Sequence, residues 1–323
     1  MITLMSQCWG TPSEVFAKYE SHEYGGSHRW NTCTNAKSDS TSACDPKEYI
    51  MSTFLAQDGT RLFYRDWGTG QPVVFSHAWP ASADEWDPQM FFFASEGFRA
   101  IAFDRRGHGR SEQTWHGNDI DTYAGDLAAL LETLDLKETI LVGHSTGGGE
   151  VARYVGRYGL GRVAKIVFLA SITPGMLRSD TNPDGLPMEA FDAARATLLK
   201  NRSQAYQDAT LTFYNFDQPG AEISKGTQDK YWFQGMQGSL KAHYDCIKAY
   251  SEPDFTDDLK KIDVPTFVMH SEDDEGVPYH FTGARSAKII KNAQLKTYKG
   301  LSHGMAETHP DLINADLLAF FRS

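Results

Sequence analysis

The stretch that most constrains this chain is Thr139-Ile140-Leu141-Val142-Gly143-His144-Ser145-Thr146-Gly147-Gly148-Gly149-Glu150. A β-branched and aliphatic run ends in a small-residue turn centred on Ser145, and a helix-compatible segment, Glu150 to Val155, follows at once. That is strand, sharp turn, helix. In such a turn the serine is held in a strained backbone conformation with its Oγ exposed above the sheet, and Gly143 and Gly147 let strand and helix approach. The helix start then aims free N–H groups and the positive end of its dipole at any oxyanion formed there. Gly-x-Ser-x-Gly alone is common. Its place between this strand and this helix marks Ser145 as a candidate nucleophile.

A serine hydroxyl needs a base to take its proton, and the base needs a carboxylate to fix its tautomer. On a nucleophile turn of this kind the partners follow in the order serine, acid, histidine, on loops at the C-terminal ends of later strands. The strand-like run Pro265–His270 empties into Ser271–Pro278, which carries Glu272, Asp273, Asp274 and Glu275. The run Ala293–Tyr298 is followed by Leu301-Ser302-His303-Gly304. Either loop alone reads as a solvated turn. Together, in this order, they supply an acid and His303 as partners for Ser145.

The remaining strands surround that centre. Ser52–Leu55 and Arg61–Trp67 flank Asp58 and Gly59 and predict an antiparallel hairpin. Pro72–His77, Phe98–Asp104 and Val163–Ala170 have the length and texture of buried strands, and Leu127, Leu130, Leu131 and Leu134 recur at helical spacing. The alternation predicts an α/β fold with a mostly parallel eight-stranded sheet and helices on both faces. It breaks between about residues 172 and 257, where helix-like pieces (Met188–Arg202, Ser239–Ser251) and aromatics predict a helical cap over the strand ends. Residues 1–50 are polar and aperiodic and read as a disordered extension outside the domain at 51–323, with Met51 as an alternative start.

A net charge of −11 with no basic block argues against a nucleic-acid or anionic-membrane partner and leaves small neutral substrates open. Of four cysteines, Cys8, Cys33 and Cys44 lie in the first fifty residues and Cys246 in the body, which is no disulfide framework and predicts a reducing, cytoplasmic setting. The first ten residues lack the basic start of a signal peptide, no stretch reads as a membrane span, and no metal-ligand spacing or repeat is present.

Phe75–Pro80, Asp87–Met90, Phe103–Ser111, Val142–Arg153, Met188–Phe191, Tyr244–Ala249 and Asp254–Lys261 together resemble the α/β-hydrolase family of cofactor-free, non-haem chloroperoxidases, from about Met51 to the C-terminus. The resemblance implies a triad of Ser145 as nucleophile, Asp274 as acid and His303 as base; the family's acid stands four positions before a proline, here Pro278. It implies an oxyanion hole from the backbone N–H groups of Trp79 and Thr146. No cofactor and no metal are implied. The implied activity is hydrolysis of small carboxylic esters or lactones through an acyl-enzyme. Hydrogen peroxide in place of water would give a peracid that oxidises halide off the enzyme.

Two positions depart from the family pattern. Ala78 stands where the family usually has glycine; if that position needs positive φ, alanine would cost about 1–2 kcal/mol and displace the Trp79 N–H. Ser271 likewise stands where glycine is common. Trp79 with cap aromatics, Phe213 and Trp232 among them, would wall an apolar acyl or alcohol pocket. His144 is expected to point away from the serine Oγ and take no chemical role. His77 is expected to order the oxyanion loop, and Asp104 with Arg105 and Arg106 to hold the loop after its strand. The alternative to an enzyme is a non-catalytic ligand-binding protein on the same fold, which would be expected to lack a triad member. A dehalogenase would need Asp in place of Ser145. Nothing in the sequence sets an oligomeric state.

Overall fold

In the computed structural model, which describes residues 52–219, 221 and 224–323, the expected hairpin forms from β1 (Thr53–Leu55) and β2 (Arg61–Gly68), with Gly59 at φ 85° in its turn. The extension expected at residues 1–50 lies outside the described residues. β3 (Pro72–Ser76), β4 (Arg99–Phe103), β5 (Thr139–His144), β6 (Val163–Leu169), β7 (Thr266–Ser271) and β8 (Ala293–Tyr298) complete the sheet. The eight strands run in the order β1-β2-β4-β3-β5-β6-β7-β8. β2 is antiparallel to β1 and β4, and the other pairings are parallel. From β3 the chain goes to β4 on one side and then returns to β5 on the other, so the order reverses there. The crevice beyond the carboxyl ends of β3 and β5 is where such sheets bind ligands.

Along these strands successive side chains enter opposite cores, as the pleat requires. Val73, Phe75, Ile140 and Val142 pack with Met90, Phe93, Leu317 and Phe321. These come from α1 (Asp87–Ser95) and the C-terminal helix Pro310–Arg322. Val74 and Leu141 pack on the other face with Leu127, Leu130 and Val151. Those belong to α2 (Ile120–Thr133) and α3 (Thr146–Tyr158). With both faces covered, the central strands are apolar throughout, which is why they read as short continuous runs.

Between β6 and β7 come α4 (Met188–Phe213), broken at Asn201, α5 (Lys225–Gln237) and α6 (Leu240–Ser251). The expected pieces match the first segment of α4 and all of α6. The unforeseen helix, α5, has glycines at 226 and 235 and no leucine, isoleucine or valine, and so carries little helical signal. It is started by Ser224, whose side chain accepts the Thr227 N–H at 3.2 Å. After α7 (Thr256–Leu259), α8 (Gly283–Ile289) and α9 (Met305–Thr308), the C-terminal helix is α10. No helix of the described residues is long and apolar enough to cross a membrane.

The loop after β4 is anchored by buried charge. Asp104 accepts the Ala83 N–H at 2.8 Å and the Arg110 N–H at 2.7 Å. Arg106 is held by Asp126 at 2.6 Å and Asp58 at 2.8 Å. Arg105 and Glu150 of α3 are both fully buried, with Nη2 and Nε 2.8 and 2.9 Å from one carboxylate oxygen. Burial pushes the Glu150 carboxyl up to about 7 even with the arginine against it. Glu150→Ala leaves the guanidinium buried without its partner. It should cost about 3–5 kcal/mol of stability in urea unfolding; a loss under about 1 kcal/mol, the size of an exposed pair, would mean the pair anchors nothing.

Candidate active site

Ser145 sits at φ 53°, ψ −117°, a region that residues with a side chain rarely adopt. Its surroundings leave it no choice. A Cβ on Gly143 would lie 2.5 Å from the Gly147 carbonyl oxygen, and one on Gly147 would lie 2.1 Å from that of Ser76. Strand, turn and helix therefore close on each other with main chain against main chain. The Ser145 N–H donates to Leu169 O at 3.1 Å, and its carbonyl accepts the Gly148 N–H at 3.0 Å. The side chain is left at the start of α3, where free N–H groups gather.

His303 lies in the loop after β8. Its Nδ1–H donates to Asp274 Oδ2 at 2.7 Å. The other Asp274 oxygen accepts the Val277 N–H at 2.7 Å. His270, at the end of β7, donates through Nε2 to Val277 O at 2.8 Å, and the same nitrogen is 3.2 Å from Asp274 Oδ2. Burial raises the Asp274 pKa, and the charge of His303 with the hydrogen bond from His270 outweighs it, so this carboxyl stays well below the usual range. Asp273 turns elsewhere and accepts the Gly300 N–H at 2.6 Å.

Ser145 and His303 share the wall of a cavity of about 250 Å³, together with Trp79, Thr146, Phe213, Tyr231, Tyr250 and Met176. The cap helices supply Phe213, Tyr231 and Tyr250, so the insertion faces the nucleophile turn. Larger hollows of about 690 and 970 Å³ are charged surface clefts that do not reach Ser145. Trp79 and Thr146 both line the cavity, and neither donates its backbone N–H to another described residue. The arrangement has a hydroxyl at a strained turn, an imidazole fixed by a carboxylate, and two free N–H groups around one small apolar space. It is equipped for acyl transfer.

The family model for the alpha/beta hydrolase fold matches residues 71–310. The chain belongs to that family. It is 57% identical over 276 residues to a non-heme chloroperoxidase of Streptomyces lividans, a match covering 84% of this chain and 100% of that protein. It is 51% identical over 276 residues to a bifunctional esterase/perhydrolase of Acinetobacter calcoaceticus, with the same coverage. Among solved structures, the bromoperoxidase from Bacillus anthracis superposes with a TM-score of 0.81 at 35% identity, covering 84% of this chain and 100% of that one.

Within this α/β hydrolase, one expectation needs correction and two departures from the family pattern are resolved. Trp232 does not line the cavity. Its indole N–H donates to Ser203 Oγ at 2.9 Å, while its neighbour Tyr231 faces the site, because adjacent residues on a helix point about 100° apart. Ala78 is not among the residues at positive φ, so alanine carries no left-handed strain there. Its N–H is held by Glu85 Oε2 at 2.8 Å, and its carbonyl accepts Nδ1–H of His77 at 2.7 Å. Ser271 is not a mere replacement for glycine: its hydroxyl donates to Leu301 O at 2.6 Å and accepts the Asp273 N–H at 3.1 Å, tying the acid loop to the histidine loop.

His77 accepts the Arg105 N–H at 3.0 Å on Nε2, so both ring nitrogens are used in ordering the loop before Trp79. His270 and Glu85 were not foreseen. His270 had one signal, its place at the end of the strand that leads into the acidic run; Glu85 had none. Since Ala78 is already relaxed, Ala78→Gly should lower stability by about 0.4–1 kcal/mol through the unfolded chain alone. It should leave catalytic turnover no higher. Thermal unfolding and an activity assay check both, and a gain in turnover would show that the alanine does hinder the loop.

Proposed function

We propose that this chain is a serine hydrolase of small carboxylic esters or lactones, in which Ser145 is the nucleophile, His303 the base and Asp274 the residue that orients it. The single observation that carries the reading is the shared cavity: the hydroxyl at the strained turn and the imidazole anchored on Asp274 open onto the same apolar space. In the proposed reaction Ser145 Oγ attacks the ester carbonyl as its proton passes to His303 Nε2. The negative charge on the carbonyl oxygen is met by the N–H groups of Trp79 and Thr146. The imidazolium returns the proton to the departing alcohol, leaving an acyl-serine. Water activated by His303 then releases the acid.

Hydrogen peroxide can take the place of that water. The acyl-serine then yields a peracid and free serine, and the peracid oxidises halide to hypohalous acid, itself becoming the carboxylic acid. No haem, metal or redox side chain enters such a scheme, so one acyl-enzyme accounts for relatives named both as esterase/perhydrolase and as chloroperoxidase. The binding-protein alternative has no observation in its favour. We place the reaction on small-molecule substrates, with peroxide and halide as the further reactants.

Ser145→Ala should lower kcat for a short-chain activated ester by about 10⁴–10⁶-fold. In the wild type, burial pulls the His303 pKa below the ordinary 6.5, with Asp274 opposing. The base works only when neutral, so kcat/KM should fall as pH drops through a value below 6.5. Near-normal turnover in the alanine variant would end the acyl-enzyme reading. Bromination with peroxide should require a carboxylate buffer or an ester as acyl source; bromination at the same rate without either would exclude the peracid route.

A further inference from the structure

The residue just before the nucleophile is fully buried and, though it points away from the cavity, is not idle. Glu85, in a short 3-10 turn (Ala83–Trp86), is buried too, and its two oxygens serve different loops. Oε2 accepts the N–H of Ala78 at 2.8 Å, one residue before the proposed oxyanion donor Trp79. Oε1 accepts Nδ1–H of His144, one residue before Ser145. The other ring nitrogen of His144 lies 3.0 Å from the main-chain carbonyl of His303 and must carry a hydrogen, because a carbonyl only accepts. Both ring nitrogens thus face acceptors.

Burial opposes charge on both partners, and their mutual attraction outweighs it: His144 is held above its ordinary 6.5 and Glu85 below its ordinary 4.5. Each partner thus favours the charged form of the other, across the hydrogen bond between Nδ1 and Oε1. Its neighbours are aromatic, with ring centroids of Trp86, Phe213 and His303 at 6.2, 5.9 and 4.8 Å from that of His144. A buried ion pair is commonly no more stable than apolar side chains of the same volume. Apolar packing, however, could neither accept the Ala78 N–H nor donate to the His303 carbonyl.

We infer that Glu85 and His144 are positioning residues that tie the oxyanion loop, the turn at Ser145 and the main chain of His303 into one unit. This rests on the serine-hydrolase reading for its consequence in catalysis, and on the hydrogen bonds alone for its consequence in structure. The pair touches no reacting atom. It sets the distance between the donors at Trp79 and Thr146 and the base at His303.

Two substitutions separate the halves of the link. His144→Asn keeps an amide near Nδ1, toward Glu85, and loses the donor to His303; His144→Gln puts its amide near Nε2, toward the His303 carbonyl. With active sites counted from the burst of a chromogenic ester, His144→Asn should lower kcat per site by about 10–100-fold, the scale of a displacement of about 1 Å. KM should stay within about threefold, and His144→Gln, which keeps the donor to His303 but not the link to Glu85, should recover part of the loss. Equal kcat per site in wild type and His144→Asn, or no recovery with Gln, overturns the inference. If His144→Asn yields no folded protein, Glu85→Gln against Glu85→Ala decides instead. The glutamine still accepts the Ala78 N–H and should retain the greater kcat; equal losses count against the pair.

A second measurement does not need turnover. In a Ser145→Ala background, the low-field imidazole proton on His303 Nδ1, assigned by its loss in His303→Ala, should shift or broaden with His144→Asn and persist with His144→Gln. An unchanged resonance in His144→Asn overturns the positioning role. Failure of the serine-hydrolase reading would show in the Ser145→Ala ester assay and leave this resonance test intact.

Discussion

Three main chains meet at the nucleophile turn, and the rest of the site depends on how closely they meet. Gly143 of β5 lies against Gly147, and Gly147 lies against the carbonyl of Ser76 in β3, at distances that admit no Cβ. A residue held as Ser145 is held costs on the order of 1–3 kcal/mol by itself. Buried β3 and β5 supply the surrounding packing that over-determines it. Because the turn lies where the strand order reverses, the loop after β3 is brought beside the start of α3, and the loops after β7 and β8 can reach in from the far side. The proposed nucleophile with its neighbour Thr146, the other proposed donor Trp79 and the proposed base His303 come from three separate stretches of chain, and one close approach sets the frame for them.

Much of that frame was legible because it is local. The apolar runs that became β3 to β7 are continuous, since those strands are covered on both faces, and the glycines around Ser145 mark a contact that only glycine permits. The order of acid and histidine loops followed from strand order. The particular acid did not: Asp273 and Asp274 are adjacent and chemically alike, and only a resemblance chose between them before the structure set Asp274 against His303 and Asp273 against Gly300. Pairings across the fold were silent. Glu85 meets His144 from 59 positions away, and no period or motif connects them. Trp232 reads as pocket wall on aromatic character alone, and aromatic character does not say which way a helix is turned. Whether Ala78 needed positive φ was open for the same reason, since its N–H and carbonyl are held by Glu85 and His77, partners invisible in the local sequence.

Histidines near the site show how strongly partners decide chemistry. His77, His108 and His243 are fully buried, and burial pulls all of them down, aided by the charge of Arg105 at His77 and His108 and by His108 and Arg202 at His243; His108 falls to about 3. They are neutral connectors. His144, equally buried, is raised instead, because the charge of Glu85 outweighs burial. His303 lies between these extremes, pulled down by burial and held up by Asp274. A base must be neutral before it takes a proton and tolerably charged afterwards, and of these histidines it is His303 that joins a buried ring to a carboxylate and opens onto the cavity.

The same geometry bears on how one site can serve two nucleophiles. Around Ser145 the cavity wall is largely apolar, with Trp79, Ile172, Met176, Phe213 and Val277, and Thr212, Tyr231 and Tyr250 are its hydroxyl-bearing residues beside Ser145 and Thr146. Besides His303, no acidic or basic side chain among the described residues lines it, so neither water nor hydrogen peroxide meets a fixed charge there. Selection between them then turns on which attacks the proposed acyl-serine faster once it reaches the carbonyl, with His303 the proposed base for either. Peroxide is the stronger nucleophile and water the more abundant one, so the outcome follows their concentrations and the wetness of an apolar pocket. On this reading hydrolysis and perhydrolysis are two exits from one acyl-enzyme. A change that dries the pocket therefore shifts the ratio of the exits, because both draw on the same intermediate.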